Sequence, residues 1–261
     1  MKQIDHTIHG LVSDAIEMAN KAHYGQNRKG TKLPYMVHCM DAGAIAATMT
    51  EEPDIIAAAI LHDVLEDTMI TAQQVKDKFG PYVYKLIKSA SEDRPDGKAT
   101  AANWQKRKEE TLAKIPTLSR EEQMVILADK LSNARSLYVD WKKLPTAVFN
   151  RFNVKDPAMH RWYYVGLLKA LDKVRDTEAY MEFRRCVLDV FDVSLAEAHV
   201  GGAPWCTRQA ICEEDVAEGT FTCLARANEG MFFTCPYASA EDSQDQPYPC
   251  EHYEARNQKE E

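Results

Sequence analysis

Apolar residues recur at helical spacing through most of the first two hundred positions of the chain. The first run predicts a helix that ends near His23. Its apolar positions are Ile8, Leu11, Val12, Ala15, Ile16 and Ala19. A polar loop follows at 24–32, and Pro34 suits the first turn of the next helix. Pro53 opens a further helix, which the pattern extends without a break to Asp67.

Two capping boxes mark later helix starts. Thr71 with Gln74 and Ser119 with Glu122 place an N-cap hydroxyl three residues before a side chain that can bond back to the N-cap backbone. Each box satisfies backbone N–H groups that the first helical turn leaves without a partner. The second box predicts a helix that runs onward to Tyr138.

Glycine and proline divide the remaining helical stretches. The helix after the first capping box is expected to stop at Gly80, and Pro81 to start another. Residues 91–100 are rich in Asp, Gly and Pro and predict a loop. Pro157 is expected to begin one long last helix that reaches about Ala196. Since no stretch alternates as a strand does, the pattern predicts an all-α protein.

Composition excludes several classes of function. The chain has 32 basic and 40 acidic residues, a net charge of −8, which argues against a broad nucleic-acid surface. No segment approaches the roughly 18 consecutive apolar residues of a membrane span. The N-terminus runs directly into an amphipathic pattern and lacks an apolar signal core. We therefore predict a soluble cytoplasmic protein without a nucleic-acid or membrane partner.

The composition changes at 200–204, which predicts a main domain at 1–199 and an appendage at 200–261. The appendage is acidic, poorly periodic and expected to be mostly irregular. Its soft side chains are Cys206, Cys212, Cys223, Cys235, Cys250 and His252. They are compatible with a small zinc or iron–sulfur site, or with free thiols on a partly ordered tail. Irregular spacing and an odd cysteine total of 7 do not indicate a disulfide framework.

Two histidines and two aspartates from separate segments form a candidate metal site. His62-Asp63 follows an apolar run, while His38 precedes it and Asp129 follows it in other predicted helices. Two imidazoles and two carboxylates suit Mn, Fe or Zn better than Ca. Taken alone, His38 is also compatible with a polar core residue, and Asp129 with an ion pair to Lys130. Together, they favour the metal site.

Glu66 and Asp67 add water-activating chemistry to this site. At about 100° per residue, a continuous helix places both on the same side as His62 and Asp63. Glu66 is then positioned to accept a proton or orient a water, and Asp67 to position the water or share the proton. A divalent metal with two adjacent acids predicts a hydrolase of phosphate esters or anhydrides.

Five stretches carry a resemblance to a known family. They are 22–30 (AHYGQNRKG), 34–38 (PYMVH), 61–68 (LHDVLEDT), 79–80 (FG) and 127–135 (LADKLSNAR). Together they resemble the HD-domain phosphohydrolases, in particular the hydrolase domain of RelA/SpoT-type enzymes and the small stand-alone alarmone hydrolases. The resemblance covers about residues 5–175 and leaves the tail unexplained. It contains no synthetase domain.

The resemblance implies an all-helical HD-domain bundle that uses Mn²⁺, or another divalent transition metal, to remove the 3′-pyrophosphate of (p)ppGpp by attack of metal-bound water. Its metal ligands would be His38, His62, Asp63 and Asp129. Its catalytic acids would be Glu66 and Asp67, and its substrate-binding residues Arg28, Lys29 and Asn133.

Three alternatives remain open at the level of sequence. HD relatives also hydrolyse other nucleotides, so a nucleoside mono- or triphosphate is a second candidate substrate. A ligand-sensing or partner-binding module that keeps the metal is a third interpretation, against which the intact Glu66-Asp67 pair argues. The basic run at 104–108 is compatible with contacts to substrate phosphates or with a solvated helix face.

Overall fold

The structure, a computed structural model, describes residues 8–92, 100–145 and 147–193, together with the backbone of 212–215 and 220–223. The helices are α1 (Ile8–Ala22), α2 (Met36–Ala47), α3 (Pro53–Ile60), α4 (Val64–Asp67), α5 (Ala72–Ala90), α6 (Trp104–Lys114), α7 (Arg120–Lys143), α8 (Pro157–Ala170) and α9 (Glu178–Phe191). Short 3₁₀ helices span Ile115–Thr117, Val148–Arg151 and Asp172–Val174. The predicted all-α bundle is confirmed.

Helix α7 is the central element of the bundle. It packs against α2, α3, α5 and α9, and its buried side chains include Val125, Leu127 and Leu131. The predicted capping box starts it, because the Ser119 hydroxyl accepts from the backbone N–H of Glu122 and the Glu122 carboxylate accepts from the N–H of Ser119. Since α7 carries Asp129 in its buried stretch, the core of the bundle also holds the candidate site.

The predicted break at Gly80 is confirmed. Helix α5 begins at the Thr71–Gln74 capping box and is kinked at Gly80, whose backbone angles are φ 84° and ψ 169°. These angles are accessible almost only to glycine. Pro81 follows directly and suits the first turn of the second half of the helix.

The prediction of one unbroken helix from Pro53 to Asp67 is wrong. Helix α3 ends at Ile60. Residues 61–63, which include His62 and Asp63, form a turn, and α4 begins at Val64. The His62 Nδ1 bonds to the carbonyl oxygen of Ala59 at 2.8 Å, which gives a helix-end carbonyl a side-chain partner. The turn lets the chain present His62 and Asp63 together instead of 100° apart on a helix.

The prediction of one long helix from Pro157 is also wrong, because the chain forms α8, a 3₁₀ turn and α9. Thr177 caps α9 by accepting from the backbone N–H of Tyr180 at 3.2 Å. The side-chain oxygen of Gln123 in α7 accepts from the backbone N–H of Lys173 at 3.1 Å. This bond gives a hydrogen-bond partner to a backbone donor in the turn between α8 and α9. Residues around Ala196 lie outside the described part of the chain.

Two short strands, Cys212–Asp215 and Thr220–Cys223, form an antiparallel hairpin in which Cys212 pairs with Cys223. The sequence pattern did not predict this hairpin. The expected boundary at 199/200 and the side chains of the tail cysteines and His252 lie outside the described residues. Within the described ranges, no helix has both the length and the apolar character that a bilayer crossing requires.

Gly43 allows α2 and α3 to approach each other beneath the site. A Cβ at this position would lie 2.5 Å from Cγ1 of buried Ile60. We expect Gly43→Val to lower the free energy of unfolding by about 1–3 kcal/mol, because a packed core accommodates added atoms poorly. Ala44→Val, on the exposed side of the same helix, is the matched control. Equal melting temperatures for the two variants would contradict this packing.

Candidate active site

His38, His62 and Asp129 form a buried group whose candidate ligand atoms all lie within 4.8 Å of one another. Helix α2 supplies His38, the turn after α3 supplies His62, and α7 supplies Asp129. Oδ1 of Asp129 lies 3.2 Å from Nε2 of His38 and 3.5 Å from Nε2 of His62. Asp63 completes the group, with its Oδ2 2.8 Å from Nε2 of His62. The sequence-predicted quartet is thus brought together.

Both imidazoles point the same nitrogen into the group. Nδ1 of His62 donates to the carbonyl oxygen of Ala59 at 2.8 Å, and Nδ1 of His38 bonds to the hydroxyl of Ser132 at 2.8 Å. These contacts leave Nε2 of each ring free to act as a ligand, and the two Nε2 atoms are 3.1 Å apart. Two unprotonated nitrogens repel at this distance unless a cation or a proton lies between them. The donor set therefore fits a divalent metal.

Further contacts fix the two carboxylates. The Tyr35 hydroxyl donates to Asp63 Oδ2, and burial together with Asp63 raises the pKa of Tyr35, so the phenol keeps its proton. Asp129 accepts from the Lys130 ammonium at 2.6 Å and from the Asn133 amide. Supporting bonds of this kind orient metal ligands. Tyr35 lies in the motif at 34–38 and Ser132 in the motif at 127–135, but the sequence pattern did not predict their supporting roles.

His38, His62 and Asp129 differ in the direction in which their environment shifts the pKa. Burial lowers the pKa of His38, against the opposing effect of Asp129. Burial would also lower the pKa of His62, but Asp63 and Asp129 outweigh it and raise that pKa well above its usual value. Burial would raise the pKa of Asp129, but Lys130 and His62 hold it well below its usual range. Asp63 and Asp129 thus favour a positive charge at the two imidazoles, which a proton on His62 or a divalent cation can supply.

Glu66 and Asp67 occupy different environments. Glu66 is half-buried, and its carboxylate accepts from the backbone N–H of Glu92. Asp67 is exposed and lines the adjoining cleft. The backbone carbonyl of Asp67 accepts from the Gln26 amide at 2.8 Å, and Gln26 in turn bonds to His23. The motif at 22–30 therefore holds the end of α4 in place.

A cleft of about 400 Å³ adjoins the buried group. Three of its lining residues, Tyr35, Lys130 and Asn133, bond directly to Asp63 or Asp129. Its cationic lining side chains are Arg28, Lys29, Lys108, Lys130 and Arg151, and its aromatic ones include Trp104, Phe152, Tyr163 and Tyr164. Of the described lining residues, Asp67 alone is acidic. The cleft is therefore basic and aromatic although the chain as a whole is acidic.

The three sequence-predicted binding residues all line this cleft. Arg28 donates to Oδ1 of Asn133 at 2.9 Å, and its guanidinium lies 5.7 Å from the centre of the Tyr35 ring. Lys29 donates to Oδ1 of Asn153 at 2.8 Å on another side of the cleft. Long-range contacts thus join the loop after α1 to α7 and to the segment before α8.

The HD-domain family matches residues 15–151 of this chain. The chain belongs to that family. MESH1 of Drosophila melanogaster, a guanosine-3′,5′-bis(diphosphate) 3′-pyrophosphohydrolase, is 30% identical over 175 residues, which are 66% of this chain and 88% of MESH1. An enzyme of the same description from Aquifex aeolicus is 31% identical over 131 residues, 49% of this chain. This HD-domain chain matches only 18% of the length of that longer relative.

Two solved structures are similar to this chain. A metazoan ortholog of SpoT that hydrolyzes ppGpp has a TM-score of 0.54 and 25% identity, over 70% of this chain and 94% of that one. A protein from Listeria monocytogenes has a TM-score of 0.52 and 25% identity, over 61% of this chain and 97% of that one. The resemblance predicted from the five sequence motifs is confirmed.

Proposed function

We propose that this HD-domain protein is a metal-dependent hydrolase that removes the 3′-pyrophosphate of (p)ppGpp and leaves GDP or GTP. The observation that carries the proposal is the connection between the buried His-His-Asp group and a cleft lined by five cationic side chains. A nucleotide with diphosphates on both its 3′ and 5′ positions needs such a density of positive charge. We further propose manganese as the metal, the cytoplasm as the location, and a domain boundary at 199/200.

His38, His62, Asp63 and Asp129 would hold the divalent cation. Candidate ligand atoms of His38, His62 and Asp129 lie within 4.8 Å of one another, and Oδ2 of Asp63 lies 2.8 Å from Nε2 of His62. The Nδ1 atoms of both rings and Oδ2 of Asp129 are already bonded to other groups. When bound, a divalent cation lowers the pKa of a water molecule and polarises a phosphoryl oxygen. Tyr35 and Lys130 would keep the two carboxylates oriented.

Glu66 and Asp67 would handle the proton and the water. The carboxylate of Glu66 is fixed by the backbone N–H of Glu92, which favours its ionised form and therefore a proton-accepting role. Asp67 is exposed in the cleft wall, where it can orient water or substrate. Glu66 would therefore be the base, and Asp67 the acid that positions water or substrate.

Arg28, Lys29 and Asn133 would bind the nucleotide. Arg28 and Asn133 lie next to the metal group through the bond from Asn133 to Asp129. Lys29 extends the positive charge away from it, and burial lowers the pKa of its ammonium. Aromatic side chains around the cleft offer apolar surface to the base and ribose.

Comparison of substrates tests this function. Mn-loaded protein would be given ppGpp, pppGpp, GTP, dGTP and GMP, and kcat/KM measured for each. We expect the two alarmones to be hydrolysed and the other nucleotides to be turned over at least about a hundredfold less efficiently, because they lack the scissile 3′-diphosphate. Preference for a mono- or triphosphate would move this HD-domain protein to the second candidate substrate class.

Arg28→Ala is expected to raise KM for ppGpp by roughly tenfold to a hundredfold, since a hydrogen bond to a charged group contributes about 1.5–3 kcal/mol. Bound Mn should be unchanged, because Arg28 contacts Asn133 and not a proposed ligand. Lys32→Ala, which removes an exposed positive charge from the same loop outside the cleft lining, is the control. An equal KM for both variants would contradict the binding role of Arg28.

A further inference from the structure

Glu92 connects the proposed base to the wall of the cleft. Its backbone N–H donates to the Glu66 carboxylate. Its own carboxylate accepts from the Arg107 guanidinium through one oxygen and from the Lys108 ammonium through the other. One residue thus bonds to α4 through its backbone and to α6 through its side chain.

This connection is buried and charged. The side chain of Glu92 is 11% exposed, that of Arg107 8% and that of Lys108 15%. Burial would raise the pKa of Glu92, but Lys108 and Lys130 lower it, so the carboxylate remains ionised. Taking three charges out of water is unfavourable unless their geometry is well matched, and apolar residues at such positions are often as stable. If the basic run at 104–108 were only a solvated helix face, its charges would not need a buried carboxylate as a partner.

The arrangement also assigns separate roles to the basic run at 104–108. Arg107 is buried, and its Nε donates to Oδ1 of Asn103 at 3.1 Å, so it anchors Glu92 away from the cleft. Lys108 lines the cleft, and its ammonium lies 4.7 Å from the centre of the Tyr163 ring. Lys106 is exposed and pairs with Glu110 along the same helix. Of these three basic residues, only Lys108 therefore lines the cleft.

We propose that Glu92 is a positioning residue of the hydrolase, which fixes the direction of the Glu66 carboxylate and holds the Lys108 ammonium at the cleft wall. The proposal rests on the proposed function for its catalytic meaning, while the contact itself is testable without a substrate. Arg107 is the anchor that keeps Glu92 in place. None of these three residues needs to touch the reacting atoms.

Glu92→Gln tests the positioning role, because it keeps the backbone N–H and the size of the side chain but removes the charge and one of the two acceptor oxygens. We expect kcat to fall about tenfold to a hundredfold, as small misplacements of a reacting group do, with bound Mn unchanged. The acidic limb of the kcat–pH profile should move to higher pH, since a weakened N–H bond to Glu66 no longer favours its ionised form. Glu92→Asp, which restores the carboxylate, should return the limb toward its wild-type position.

Glu110→Gln is the matched control, since it breaks an exposed ion pair on the same helix. It should leave kcat and the pH profile unchanged. A Glu92→Gln variant with a lower melting temperature, wild-type kcat and an unshifted acidic limb would overturn the proposal, because Glu92 would then be a structural residue only.

Hydrogen exchange at the Glu92 amide separates this proposal from the proposed function. In Glu66→Ala, which removes the acceptor, the amide should exchange roughly tenfold faster by NMR than in the wild type. Unchanged exchange would overturn the Glu66–Glu92 contact and with it the positioning role. Faster exchange in Glu66→Ala, together with a wild-type protein that does not hydrolyse ppGpp, would support the contact and count against the proposed function alone.

Discussion

Replacing His62 by alanine is expected to remove metal binding and to lower turnover of ppGpp by at least about a thousandfold. His62 is buried, its Nε2 faces Asp63, Asp129 and the Nε2 of His38, and its Nδ1 is committed to a backbone carbonyl. Loss of groups that merely support a ligand typically lowers metal affinity or activity by about 10–100-fold, and loss of the ligand itself exceeds that. The several kcal/mol that a metal contributes to phosphoryl chemistry correspond to the expected loss of rate.

Metal content by mass spectrometry and Mn titration by calorimetry measure the first effect, and nucleotide chromatography measures the second. His9→Ala, at an exposed position on α1, is the matched histidine control. Circular dichroism verifies that both variants keep their helices. Wild-type Mn affinity in folded His62→Ala would show that the buried group is not the metal site.

Replacing Glu66 by glutamine is expected to lower kcat by about 10²–10⁴-fold, which is the usual contribution of a positioned acid or base. The amide keeps the size of the side chain and accepts from the N–H of Glu92 but cannot take a proton. Bound Mn should stay at the wild-type level, because Glu66 lies outside the group of converging ligand atoms. The ratio of kcat to metal content is the quantity to measure.

Glu109→Gln, on the exposed side of α6, controls for the loss of one negative charge. If kcat per bound Mn is the same in Glu66→Gln and Glu109→Gln, the proposed base is wrong and Asp67 becomes the next residue to replace. An equal loss of metal and turnover in Glu66→Gln would instead identify Glu66 as a ligand support.

The four candidate metal ligands could be predicted from sequence because their residue types alone indicate metal binding. Two imidazoles and two carboxylates within apolar helices are costly unless they bind something, and the structure does bring His38, His62, Asp63 and Asp129 together. The backbone between them could not be predicted. The helical periodicity of apolar residues continues through Leu61, so the hydrophobic pattern does not indicate the turn. The bond from His62 to the Ala59 carbonyl accompanies that turn.

The prediction of one long helix from Pro157 was wrong for a similar reason. Apolar residues recur through the 3₁₀ turn because both flanking helices bury them, and the decisive partner, Gln123, is fifty residues away in α7. Thr177 was the available local signal, since it occupies an N-cap position before an acidic first turn. Capping residues therefore start α5 at Thr71, α7 at Ser119 and α9 at Thr177, and the sequence analysis used only the first two as signals.

The cleft wall was the least predictable part of the site. Arg28 and Asn133 were identified through family motifs, but Lys108, Arg151 and Tyr163 join them from three other segments. Such convergence depends on how α6, α8 and the segment between α7 and α8 pack, which spacing along the chain does not encode. The role of Glu92 was equally unpredictable, because it depends on contacts to two different helices.

The most direct test of the account is to incubate the Mn-loaded HD-domain protein with ppGpp and to identify every product by chromatography. The account predicts GDP and intact pyrophosphate in equal amounts, with both lost in Glu66→Gln. Metal-loaded protein that leaves ppGpp intact, or that releases orthophosphate instead of pyrophosphate, would contradict it.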